Sequence, residues 1–236
     1  MVDLPDYEVR VSRRARHARL SVSYAGRVTV VIPERFPRSN VPGIVDANRR
    51  WIERVKRRFA DERARIVDRP APERPAQLWL RLVDDELLVV YEQHAGPARA
   101  HERTGTLFVE SRLDDEDQQR QAIKRYLARR ARIELEPRLL ELATQVGVQV
   151  KGISIRAQQT RWGSCSPSGS ISLNSALLFL PEVLVQYVLL HELCHRRELN
   201  HSERFWTLVT QLEPDSARLR KELKSAWHFV PAWLGA

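Results

Sequence analysis

The segment from Glu182 to Leu199 constrains this chain more than any other. It starts just after Pro181 and carries Val183, Leu184, Val185, Tyr187, Val188, Leu189, Leu190 and Leu193 on nearly every face of one expected helix. A helix that is apolar all round belongs in a core. Yet His191, Glu192 and His195 sit on it, and burying an unpartnered carboxylate costs several kcal/mol or forces its protonation. A metal ion resolves that conflict by taking the imidazoles as ligands and giving the carboxylate a charged neighbour. His191 and His195 are one helical turn apart, so both rings leave the same face. They can share one Zn²⁺ at about 2.0–2.1 Å. Glu192 lies roughly 100° round the helix, beside the metal rather than on it. From there it can take a proton from a zinc-bound water, whose pKa the metal lowers to about 7. This is the H-E-x-x-H arrangement of the zincins.

A catalytic zinc requires a third protein ligand and one open position. The helix is expected to stop at Asn200, which tolerates a left-handed C-terminal conformation. His201 follows as the chain turns back, and Ser202 can cap a new helix containing Phe205, Trp206, Leu208 and Val209. Glu203, Glu213 and Glu222 compete with His201 for the third position. Glu203 already suits the macrodipole of the following helix, and Glu213, just before Pro214, belongs at that helix's far end. His201 is therefore the favoured ligand.

These residues resemble a known family, the YgjP-like metallopeptidases, relatives of the SprT-like and WLM groups of zincins. The matching stretches are Thr160-Arg161-Trp162-Gly163-Ser164-Cys165-Ser166, Ile171-Ser172-Leu173-Asn174, and His191-Glu192-Leu193-Cys194-His195 followed by Asn200-His201-Ser202 and Phe205-Trp206. N-terminal strands, an arginine-rich turn and a helix with Trp51-Ile52 extend the likeness over most of the chain. The resemblance implies one zinc ion held by His191, His195 and His201, with Glu192 as catalytic base. The spacing to His201 is that of metzincins, but Glu198 stands where they have glycine, and Met1 is the only methionine, so no Met-turn underlies the site.

Other residues near the motif carry weaker signals. Trp162 to Ser166 reads as a tight turn beneath the site, with no base to activate a serine there. Cys165 and Cys194 read as small buried hydrophobes. Ile171-Ser172-Leu173-Asn174 alternates as an exposed edge strand would, and an extended peptide could add to such a strand. Those four residues and Arg161 are the candidate substrate contacts. Arg161 and Tyr187 are candidates to stabilise an oxyanion.

The rest of the sequence sets the frame. Strands are expected over 7–12, 18–23, 27–32, 78–83, 87–92, 106–110 and 148–156, with a turn at Tyr24-Ala25-Gly26. Helices are expected over 44–67 and 114–145, the latter kinked or divided at Pro137. The reading is an α+β, zincin-like fold: a β-rich N-terminal part with one helix (1–112), then a mainly helical catalytic part (113–236). A net charge of +9 admits an anionic partner. Its arginines cluster at 13–19, 49–58 and 129–132, which allows nonspecific nucleic-acid association, although many alternate with acids as on a solvated face. No apolar run approaches the ~20 residues of a membrane helix. No signal-peptide plan opens the chain, and two cysteines are too few for a disulfide framework; a reducing cytoplasm is the expected compartment. The function these features favour is a zinc-dependent hydrolase acting on polypeptides. Two alternatives stand beside it: a metal-dependent hydrolase of nucleotide phosphoanhydrides, against which the lack of a phosphate-cradling glycine motif counts, and a nucleic-acid-associated protein with a structural zinc, against which the count of three ligands stands.

Overall fold

A computed structural model describes residues 5–12, 15, 17–22, 26–64 and 74–234. These residues form a mixed α+β structure of six α-helices and three small sheets. The chain falls into two compact units, Met1–Pro70 with the last two residues, and Ala71–Leu234.

In the first unit, β1 (Tyr7–Ser12), β2 (Arg19–Val22) and β3 (Val28–Pro33) follow the expected strands. β3 is the middle strand, parallel to β1 and antiparallel to β2. Val28, Val30 and Ile32 alternate into a small core with Val41, Val45 and Ile52, as period-2 patterning dictates. Of the turn expected at Tyr24-Ala25-Gly26, Tyr24 and Ala25 lie outside the described residues. The single helix expected over 44–67 is two, α1 (Val41–Ala47) and α2 (Arg49–Ala64). Asn48 divides them and donates its side-chain amide to the Ile44 carbonyl at 2.8 Å. Charge is unevenly spread: residues 1–70 hold 17 of the 39 basic side chains but only 9 of the 30 acidic ones.

The second unit opens with a four-stranded sheet of β4 (Gln77–Leu80), β5 (Asp85–Gln93), β6 (Arg99–Arg103) and β7 (Thr106–Ser111), in the order β4-β5-β7-β6. β6 escaped the sequence reading because only Ala100 on it is buried and its other four residues are polar. α3 (Glu116–Val146) packs across this sheet. Asp115 caps it by accepting the Gln118 N–H at 2.9 Å, and Gly147 ends it at φ +70°. Pro137 sits inside α3 without dividing it, on a face exposed to solvent where water can take the carbonyl that the missing N–H leaves free. Arg125 and Arg129 each donate to backbone carbonyls of the sheet segment, Ala98 and Ala100, at 2.7 Å. Arg130 joins Asp85, Glu102 and Glu134 within 2.7–3.0 Å. The arginine cluster at 129–132 thus serves in large part to pack α3, which removes it from a free anion-binding surface.

The third sheet carries β8 (Gly152–Arg156), β9 (Gly163–Cys165) and β10 (Ser170–Asn174), in the order β8-β10-β9. α4 (Glu182–Cys194), α5 (Glu203–Leu212) and α6 (Ser216–Ser225) complete the unit, with α4 packed against α3, β9, α5 and α6. Among the described residues no helix is long and apolar enough to cross a membrane.

Candidate metal and catalytic site

α4 is buried because its residues allow nothing else: Leu184, Val185, Tyr187, Val188, Leu189, Leu190, Leu193 and Cys194 all lie in the core. It is shorter than the sequence suggested. The helix ends at Cys194 instead of Asn200, and His195 occupies its C-cap with right-handed backbone angles. The chain then reverses over several residues through turns tied by Arg197 N–H and Glu198 N–H to the Cys194 carbonyl, both at 3.0 Å. Ser202 caps α5 as expected, its hydroxyl accepting the Phe205 N–H at 3.3 Å.

That reversal brings His201 onto the face where His191 and His195 emerge. The candidate ligand atoms of the three lie within 4.8 Å of one another, and the Nε2 atoms of His191 and His201 are 2.9 Å apart. Tetrahedral ligands at about 2.0–2.1 Å from one ion would be ~3.3 Å apart, so the triad is close to the needed spacing. His195 Nδ1 meets the Glu198 carbonyl at 3.0 Å. A carbonyl only accepts, so Nδ1 carries the proton and Nε2 keeps its lone pair. Phe205, fully buried, touches all three rings at centroid distances of 4.5–4.9 Å. Burial, reinforced by the other two histidines and Arg220, pushes the His191 pKa down to about 3. Burial likewise lowers His201. Neutral imidazole is the form that binds metals, and three nitrogens suit zinc and its transition-metal neighbours better than calcium or magnesium. None of Glu203, Glu213 or Glu222 belongs to the cluster.

Glu192 lies beside this triad, only 6% exposed. Burial pushes its carboxyl up to about 7, while the Arg161 charge and a hydrogen bond from the Cys165 backbone hold it from rising further. The Cys165 contact follows from the strand register. Trp162 and Ser166 hydrogen-bond across to β10, through Asn174 N–H to Trp162 O at 2.8 Å and Ser166 N–H to Ser170 O at 2.9 Å. Alternation then turns the backbone groups of Gly163 and Cys165 to the opposite edge, where Glu192 stands. The stretch expected to be a tight turn is therefore a strand. Gly163 is required there: a Cβ on it would meet Glu192 Cγ and Oε1 at 2.8 Å.

The substrate candidates separate. Arg161 is exposed and electrostatically coupled to Glu192. β10, read as an exposed edge strand, is the middle strand of its sheet, parallel to β8 and antiparallel to β9. Its backbone is already paired on both sides, so no peptide can add to it. Ile171, Leu173 and Asn174 are buried, and Ser172 is partly so. Asn174 instead ties the loop before β9, donating to Gln158 O at 2.7 Å and Arg161 O at 2.8 Å and accepting the Ala176 N–H at 3.0 Å. Trp162 is stacked on Trp227, 4.1 Å between centroids. Cys194 is buried and Cys165 partly so, both with free thiols. The sequence reading missed β9 as a neighbour of Glu192; Gly163, directly after Trp162 and followed only by small residues, was the signal that a backbone approaches closely there.

No curated protein matches the chain. A solved structure of abylysin, a metallopeptidase zymogen of Pyrococcus abyssi, is similar at 28% identity over 38% of this chain and 93% of that one, with a TM-score of 0.34. The family model described as "YgjP-like, metallopeptidase domain" matches residues 16–226, and the chain belongs to the YgjP-like metallopeptidase domain family.

Proposed function

We propose that the chain is a zinc-dependent peptidase of zincin type, with the ion held by His191, His195 and His201 and with Glu192 as general base. The observation that carries the reading is a buried carboxyl beside a converging trio of imidazoles. Zinc bound there would supply Lewis acidity, polarising the scissile carbonyl and making water acidic enough to lose a proton near neutrality. Glu192 accepts that proton and passes it to the leaving amine, the double task of a general base that then acts as acid. The Cys165 N–H fixes the direction of the carboxylate. The Glu198 carbonyl fixes the tautomer of His195, and the buried Phe205 ring backs all three imidazoles. β9, last in the strand order of its sheet, runs beside Glu192 and holds it through the Cys165 N–H.

The test is a zinc-loaded preparation assayed against unfolded polypeptides, nucleoside triphosphates and DNA–protein conjugates. Cleavage of unfolded polypeptide, abolished by chelation and restored by zinc, is the expected result. Glu192→Gln should keep stoichiometric zinc and lose at least ~10²-fold in hydrolysis, the lower range for a general base. Hydrolysis of nucleoside triphosphates alone would falsify the peptidase reading.

A further inference from the structure

A charged side chain stands beside the histidines that the proposed reaction leaves unused. The guanidinium carbon of Arg220, on α6, lies 3.9 Å over the Trp206 ring. Trp206 packs in turn 5.5 Å from the His201 ring and 5.9 Å from that of His191. Arg220 is exposed, and among the described residues it makes no ion pair. Its helix neighbour Arg218, by contrast, holds Asp215 at 2.9 Å and Glu222 at 2.8 Å. The charge of Arg220 bears instead on His191, His201 and Tyr187. Tyr187 precedes His191 by one turn on the same stripe of α4, is 2% exposed, and its hydroxyl has no hydrogen-bond partner among the described residues.

An unneutralised guanidinium in this place opposes a cation at the triad, since like charges repel, with a strength that solvent at this exposed position reduces. Stacking on an indole does not by itself require charge at that position, and among the described residues no acid pairs with it. An arriving anion would remove the conflict. A guanidinium held flat on an aromatic ring presents its donor fork preorganised for the two oxygens of a carboxylate.

We propose that Arg220 binds a carboxylate of the polypeptide substrate, so that the site favours peptides with an acidic group near the bond to be cut. The inference rests on the peptidase reading for the nature of the ligand. The carboxylate comes from an aspartate or glutamate side chain or from a free C-terminus.

Fluorescent peptides of one backbone sequence separate these sources: a neutral one, one with a single Glu, and each with a free or amidated C-terminus. Binding to the zinc-loaded and the metal-free protein is read by anisotropy, and cleavage by kcat and KM. The peptide carrying the recognised carboxylate should bind about tenfold tighter than its neutral counterpart, the scale of one charge-assisted contact. Arg220→Gln should erase that difference, Arg220→Lys should keep part of it, and Arg218→Gln, which removes the same charge from a paired position, should preserve it. Whichever substitution, side chain or terminus, carries the Arg220-dependent preference identifies the source. Equal binding of all peptides by the unaltered protein overturns the proposal, as does an Arg218→Gln loss equal to that of Arg220→Gln. A fall in kcat common to every peptide, with binding unchanged, would place Arg220 at the reacting atoms and overturn it too. An Arg220-dependent preference without cleavage of any peptide would uphold the carboxylate site and remove the peptidase reading.

Discussion

Gly163→Ala tests whether β9 and Glu192 form one working unit. The added carbon would stand 2.8 Å from Glu192 Cγ and Oε1 and 3.0 Å from Cδ, against an optimum of ~3.5–4.0 Å for carbon pairs. The overlap is roughly 0.7–1 Å, and it cannot be relieved by swinging the carboxylate into water, because Glu192 is 6% exposed. Either β9 moves off α4 or Glu192 leaves its rotamer; overpacking of this kind costs about 1–3 kcal/mol. At ~2–4 °C per kcal/mol for a domain of this size, Tm should fall by roughly 2–12 °C. The three histidines are untouched, so zinc stoichiometry should hold. A carboxylate displaced by about 1 Å should lose up to ~10²-fold in hydrolysis. The decisive measurement is a double-mutant cycle in stability. Glu192→Ala deletes all three contacted atoms, so Gly163→Ala in that background should be nearly neutral, giving a coupling close to the full ~1–3 kcal/mol. Should Gly163→Ala cost the same in both backgrounds, the close approach to Glu192 is not what demands glycine.

Two further outcomes are expected. His201→Ala should weaken zinc binding sharply, whereas Glu203→Gln, Glu213→Gln and Glu222→Gln should each leave it nearly unchanged; competition titrations with a zinc chelator measure this, and the reverse pattern would reassign the third ligand. Asn174→Ala strands two backbone carbonyls, Gln158 and Arg161, and should destabilise by ~2–4 kcal/mol at about 1–2 kcal/mol per lost partner. A change under ~0.5 kcal/mol in urea unfolding would show that the loop before β9 does not depend on it.

Much of the site was legible because its chemistry conflicts with its surroundings. Polar His191, Glu192 and His195 on an all-apolar helix had few physical resolutions, and Ser202 announced the helix that follows. Where α4 ends was hidden for a different reason: Arg196-Arg197-Glu198-Leu199 are good helix formers, yet the backbone turns after Cys194 to bring His201 round. β10 misled for a related reason. Ile171 and Leu173 alternate with serines as a one-sided strand does, yet pairing on both flanks is a matter of backbone hydrogen bonds that side-chain pattern does not encode. β9, three residues long, is too short for any period to register. Arg220 lies among the alternating charges of α6, and only tertiary contact with Trp206 sets it apart from Arg218.

The contact between His195 and Glu198 has a consequence for descent and redesign. What holds the imidazole is the carbonyl of residue 198, a group that every amino acid supplies. The glutamate side chain can therefore drift without loss, and side-chain scanning would pass over the position as unimportant. The number of residues between His195 and His201 has no such freedom. One residue added or removed would shift the carbonyl away from the ring and rotate His201 off the face it shares with its partners. Anyone grafting the site onto another scaffold should copy the loop's span and turns, together with the anchors that Arg196 and Arg197 make to the Gln149 and Val146 carbonyls.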